Sequence, residues 1–390
     1  MRILVLILTI LFIFSGISPI CAETNDLKAI DIPFELLDEP SINKINDFIT
    51  EINKELDEDI PLLNSEFIKT LALEGINFNF QALFSKLLGY LFKEIVVNLS
   101  LMGKLIFLTV LCALLRNLQN SFENSSISLL SYSVCFIFLS VIALNAFYQA
   151  VALAADTVNS MVGFMQALLP LLLSLLAGIG AVTSAAFFTP LMLFIVATMS
   201  MIIKDVVFPL LFLTAVLDCV SYLTQKYKIS NLTAILKQAA MGVLGFSMAI
   251  FIGITSIQGI AGSIADGLTL RSAKYAATTF IPVVGKMFSD TVEVVMSASL
   301  LLKNATGLFG FLAILMLCIV PLLKLMALII IIKASSALVE PMGDENMAKC
   351  LGGMANNLIL VFGALLILVV MFFLLVAIIV GASSMTMMLK

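Results

Sequence analysis

The chain has 390 residues, of which 61% are hydrophobic and 12% charged, with no histidine, no tryptophan and a formal net charge of −4. Soluble domains carry roughly a quarter charged residues, so this composition predicts an all-α polytopic integral membrane protein with about 7–8 transmembrane helices and a small helical acidic N-terminal region. Without histidine the commonest general base, metal ligand and triad member is missing. Without a basic cluster there is nothing to neutralise nucleic-acid phosphates.

Residues 1–22 read as a secretory signal peptide. Arg2 gives the positive start, Ile3 to Phe14 the apolar core, Ser15, Gly16 and Pro19 the break, and Ala22 a small residue before the cleavage point. An uncleaved anchor is the alternative, because Ile20 is bulky for the −3 position. Residues 23–97 form the expected extracytoplasmic region. From Glu23 to Glu74 there are 14 acidic residues against four lysines, so the negative balance of the chain sits here. Ile42, Ile45, Phe48, Ile49, Ile52 and Leu56 form one apolar stripe at helical spacing. A second helix is expected after Asn64-Ser65, and a third, from Phe80 to Val97, leads into the membrane. A solvated acidic spacer is the plainer reading of the first part.

The first membrane bundle, residues 98–262, is expected to hold about six spans. They are drawn at Leu99–Leu118, Ile127–Ala150, Met161–Ala181, Phe188–Ile203, Val206–Tyr222 and Ala239–Gly262, each near the ~20 residues that cross a hydrocarbon core. The fourth and fifth are short, are separated by Lys204-Asp205 and contain Pro190 and Pro209. A re-entrant hairpin or a broken helix is the alternative for that pair. Two more spans, Leu308–Ile332 and Leu358–Ala382, belong to residues 305–390. With an exported leader, eight spans leave Arg116, Lys226, Lys228, Lys237, Lys333 and Lys349 on the cytoplasmic side, in the sense of the positive-inside bias, but Arg271, Lys274, Lys286 and Lys303 outside, so the bias is modest; one span fewer in the short pair would put 263–304 inside.

Between the two blocks lies 263–304, too polar for an ordinary span. Arg271 and Lys274 share a helix face, as do Lys286, Asp290 and Glu293. Pro282 removes an N–H and disfavours helix at Ile281, and Gly285 permits a turn. The pattern is helix, break, amphipathic helix, with the second helix expected along the membrane surface. A polar connector between two spans is the bland alternative.

Within the spans, Gly245, Ala249 and Gly253 repeat a small-x-x-x-small pattern that lets another helix approach, either within the chain or in an oligomer. Lys104 and Lys324 are drawn deep in spans and are candidates for a water-filled path or a cross-helix pair, whereas Asp156 and Asp218 are read as snorkelling from span ends. Cys112, Cys135, Cys219 and Cys318 lie in apolar runs, where a thiol packs as a small hydrophobe. No C-x-x-C pair, phosphate-binding loop or nucleophile elbow occurs in the sequence. No catalytic, cofactor-binding or metal-binding residues are assigned, no cofactor is expected, and the chain is read as a non-enzyme. On the residues alone, a subunit of a membrane assembly and a self-contained secondary transporter stand level.

The run from Leu270 to Gly307, LRSAKYAATTFIPVVGKMFSDTVEVVMSASLLLKNATG, resembles the corresponding segment of the stage III sporulation protein AE family of endospore-forming bacteria. The likeness extends over nearly the whole chain, to the Met-rich basic tip Thr386 to Lys390. It implies a non-enzymatic subunit of the channel-like, secretion-like assembly that joins mother cell and forespore. It also implies a place in the mother-cell membrane surrounding the forespore. The implied partners are the other products of the same operon, including an ATPase, and indirectly stage II sporulation protein Q.

Overall fold

The computed structural model describes residues 80–119, 125–223, 229–280, 284–342 and 344–388, all within one compact unit, Leu37–Lys390. The leader, the acidic stretch before Phe80, Ile281-Pro282-Val283 and the last two residues lie outside the described residues, so the readings made on them stand as expectations. The described residues form helices and short turns: α1 Phe80–Val97, α2 Leu99–Gln119, α3 Ser125–Gly178, α4 Val182–Met201, a π-helical turn Ile202–Val207, α5 Phe208–Leu223, α6 Ser230–Phe280, α7 Val284–Val339 and α8 Glu345–Met388.

Five helical stretches are long and apolar enough to cross a membrane: Leu130–Gly178, Val182–Leu223, Ser230–Gln258, Ser299–Val339 and Glu345–Gly381. A sixth crossing arises if α1 and α2, which bend by 41° between Val97 and Leu99, count as one broken span. The number is lower than the 7–8 expected, for a local reason. Two drawn pairs each fuse into one helix. Between Ala150 and Met161 the chain reads VALAADTVNS, with no proline or glycine to stop a helix, so α3 runs through Asp156 and Asn159. Between α4 and α5 the helix widens into a π-turn that carries Lys204 and Asp205 and then continues. Pro209 follows directly on this π-turn, where the i→i−4 ladder is already interrupted and its missing N–H is accommodated.

Segment 263–304 is likewise no separate unit. One helix ends at Phe280 and the next begins at Val284, and α7 then continues without interruption to Val339. The amphipathic half thus extends the following span along its own helix, which differs from a detached helix lying on the surface.

Side-chain pairs fix how the long helices run. Gly178 faces Ser299 and Gly310 faces Leu168, so α3 and α7 are antiparallel. Lys303 reaches Val380, Phe311 stacks edge-on against Phe373 and Ser336 reaches Ala348, so α7 and α8 are antiparallel. Lys204 meets Asn159 and Phe212 meets Phe147, so the α4–α5 unit runs against α3. Residues near Tyr132, Cys219, Ser336 and Asp344 therefore share one end of the bundle, and those near Gly178, Ser299 and Val380 the other. Phe136, Phe147, Phe164, Phe188, Phe208, Phe309 and Phe372 fill the interior.

In hydrocarbon every polar group needs a partner inside the protein. The hydroxyls of Thr109, Thr157, Thr189, Ser200, Thr214, Thr255, Thr306 and Ser335 each donate to the carbonyl four residues earlier, at 2.7–2.8 Å. Asp344 caps α8: its carboxylate accepts the Met347 N–H at 3.2 Å and the Tyr132 hydroxyl at 3.0 Å, tying the start of α8 to α3.

Candidate functional site

Near one end of the bundle, α3, α5 and α8 bring together a polar node that the sequence did not disclose as such. Along α8, Cys350, Gly353 and Asn357 fall at i, i+3 and i+7, one face of the helix. They meet Asp218 and Cys219 of α5. The Asn357 Nδ2 donates to Asp218 Oδ2 at 3.1 Å, and the Cys219 and Cys350 thiols touch. Gly353 lies against the Asp218 carboxylate: a Cβ there would stand 3.5 Å from Oδ2, and its absence leaves room beside the oxygen. Ser140 of α3 is buried beside the Cys219 thiol. Asn357 is 0% exposed, and its Oδ1 is buried without a partner.

Asp218 is thus half-buried and tied to a neighbouring helix, rather than snorkelling outward from a span end as the sequence suggested. It makes no ion pair among the described residues. Lys349, one turn away on α8, is paired with Glu345. Asn357 was missed because it sits at the edge of the drawn last span, where an asparagine reads as a boundary residue.

A second polar level crosses the bundle midway. Asp156 and Asn159 of α3 and Asp205 of the π-turn are exposed, and the half-buried Lys204 donates to Asn159 Oδ1 at 3.2 Å. Lys324 is half-buried on α7. Lys104 is exposed on α2 beside the fully buried Leu105 and belongs to neither group.

Arg271 and Lys274 lie in α6, and Gly285, Lys286 and Asp290 in the first turns of α7, while Pro282 lies outside the described residues. Lys303, placed by sequence in the polar segment, is 0% exposed, and its ammonium donates to the Val380 carbonyl at 3.4 Å.

Small residues at Gly245 and Gly253 face open space, as does Gly242: a Cβ on any of them meets nothing within 4 Å. Ala249 is exposed on the same helix, beside exposed Phe246, Ile250, Ile252 and Ile257. The ridge therefore serves no packing inside the described bundle. Close approach occurs instead on α7, where a Cβ on Gly307 would overlap Val380 of α8 and one on Gly310 would overlap Leu168 of α3.

Long apolar helices, internally satisfied hydroxyls and large apolar side chains on the outer faces define an integral, polytopic helical membrane protein. The family model for stage III sporulation protein AE matches residues 63–383. The stage III sporulation protein AE of Bacillus subtilis (strain 168) is 39% identical over 352 residues, covering 89% of this chain and 87% of that protein. The chain belongs to the stage III sporulation protein AE family. No solved structure matches it.

Proposed function

We propose that this chain is a non-enzymatic transmembrane subunit of the channel complex between mother cell and forespore, seated in the mother-cell membrane that surrounds the forespore. The observation that carries the reading, beside membership of a sporulation family, is the open small-residue face of α6. Gly242, Gly245, Ala249 and Gly253 leave a groove that no helix of the described bundle occupies. Small residues let a partner helix approach closely, which is how helices associate where lipid removes the hydrophobic drive. The partners are other membrane products of the same operon and, through them, the operon's ATPase and stage II sporulation protein Q.

The orientation follows from six crossings with an exported N-terminus. Lys237, Lys333 and Lys349 then lie at the cytoplasmic end, while 259–298, with Arg271, Lys274 and Lys286, lies on the outer side. That arrangement obeys the positive-inside bias at most loops. A photo-crosslinking residue at Phe246 or Ile252, introduced in sporulating cells, is expected to capture another protein of the assembly. Adducts with lipid alone at both positions would overturn the reading. A self-contained secondary transporter is the competing function, and it requires the purified chain alone to move solute across liposomes.

A further inference from the structure

We infer that one face of α3 lines a water-filled path through the membrane, open to water and small hydrophilic solutes. The inference deepens the channel reading above, yet it is carried by α3 and its neighbour α4 and does not need α6 to dock a protein. The exposed surface of α3 changes character along the helix. Near its start the exposed residues Leu130, Val134, Ile137 and Val141 are apolar. Beyond them Asn145, Gln149, Asp156, Asn159, Gln166 and Ser174 are exposed. At roughly 100° per residue these six fall within an arc of about 100°, on the same side as the apolar four. Between Asn145 and Gly178 no Val, Leu, Ile, Met or Phe of α3 is exposed, although such residues make up most of that stretch.

A lipid-facing placement does not suit this strip, because amides and a carboxylate among lipid tails lose their water and gain no partner. A helix that had left the bilayer would keep them wet, but α4 argues against that. The turn after Gly178 leads into Val182, and Lys204, just beyond α4, donates to Asn159 at 3.2 Å. Both ends of α4 are therefore held to α3, and the helix covers the level of residues 159–178. Its outer side is apolar throughout: Val182, Phe187, Phe194 and Met201 are 61–71% exposed. The 20 residues of α4 reach ~30 Å, the thickness of a hydrocarbon core. One level of the bundle thus turns an apolar wall to lipid on α4 and a hydrogen-bonding wall to something else on α3. Polar residues within spans face a bundle interior or a water-filled cavity, and the exposure of this strip leaves the cavity. Its groups are amides, a hydroxyl and one carboxylate, Asp156, with the Lys204 ammonium held one turn away by Asn159. No block of one charge sign lines it, so the path suits neutral hydrophilic solutes as well as small ions.

The test uses membranes of sporulating cells, opened by extrusion so that reagent reaches both surfaces. Cys112, Cys135, Cys219, Cys318 and Cys350 are buried, and the unsubstituted chain supplies the blank. Gln149→Cys, Gln166→Cys and Ser174→Cys probe the strip, Val134→Cys its apolar continuation, and Phe187→Cys and Phe194→Cys the outer side of α4. All six positions are exposed, so the interior packing is untouched, and three strip positions keep the test intact if one variant accumulates poorly. The rate of labelling by a small cationic thiosulfonate reports hydration, since the thiolate reacts and an apolar surrounding suppresses it. The strip positions are expected to react at least about tenfold faster than positions 134, 187 and 194. Strip positions as slow as those on α4 would set the strip against lipid or a dry partner and overturn the inference. Positions 187 and 194 as fast as the strip would place that end of the bundle outside the membrane and overturn it equally. A fast strip combined with lipid-only adducts at α6 would remove the docking face alone and leave the water path standing.

Discussion

Gly310→Ala isolates the packing of α7 against α3. An alanine Cβ at position 310 would overlap the end of Leu168 and stand 3.2 and 3.3 Å from its Cδ1 and Cγ, and Leu168 is fully buried. The leucine cannot swing into solvent, so α3 and α7 must separate or Leu168 must leave its rotamer, at about 1–3 kcal/mol. Alanine also removes the glycine penalty in a helix, a gain of up to ~1 kcal/mol. The net expectation for Gly310→Ala is therefore a loss of roughly 0–2 kcal/mol. Gly245→Ala provides the reference, because its Cβ meets nothing within 4 Å and only the propensity gain applies. The contrast between the two variants should be about 1–3 kcal/mol. Reversible unfolding in mixed micelles of rising sodium dodecyl sulfate, followed by far-ultraviolet circular dichroism, measures it. Equal midpoints for the two variants would refute the close α3–α7 contact.

Gly245→Leu and Gly253→Leu should leave the unfolding midpoint of the isolated chain unchanged while reducing recovery of the assembled complex, with Gly381→Leu, also open in this structure, as the neutral control. Equal complex recovery for all three would remove α6 as a docking face. In a variant keeping only Cys219 and Cys350, mild oxidation should link α5 to α8 and protect a proteolytic nick between them from separating the fragments; separable fragments after complete oxidation would show that the two helices do not pack there. The purified chain should hydrolyse no ATP, since the sequence holds no phosphate-binding loop; turnover that co-purifies with the chain through every step and is lost with it would contradict this.

The class was legible from composition and hydropathy, because a bilayer imposes length and apolarity on anything that crosses it. Span count was not, because hydropathy windows register Asp156-Asn159 and Lys204-Asp205 as gaps, whereas a polar residue does not by itself end a helix. Neither place ends the helix: the first lacks proline and glycine, and at the second the π-turn takes up Pro209 without a break. The small-residue signal was ambiguous for a related reason. Gly245, Ala249 and Gly253 fit a recurring spacing yet face outward, while Gly307 and Gly310, at a less familiar spacing, make the tight contacts. Asp218 and Asn357 are 139 residues apart, and no local pattern marks such a pair. The burial of Lys303 escaped notice because the segment before it is polar, which drew the start of the span to Leu308.

In the six-crossing fold α3 and the α4–α5 unit each cross the membrane once. Val182, exposed at the turn between them, separates this from the eight-span drawing most directly. Six crossings place Val182 on the side opposite Ser230 and Glu340, whereas eight place all three on one side. Single cysteines at these positions in a cysteine-free chain, probed with a membrane-impermeant maleimide in intact cells and in inverted vesicles, give the answer. Six crossings give labelling of position 182 in intact cells and of 230 and 340 only in inverted vesicles. Labelling of all three from the same side would contradict that fold.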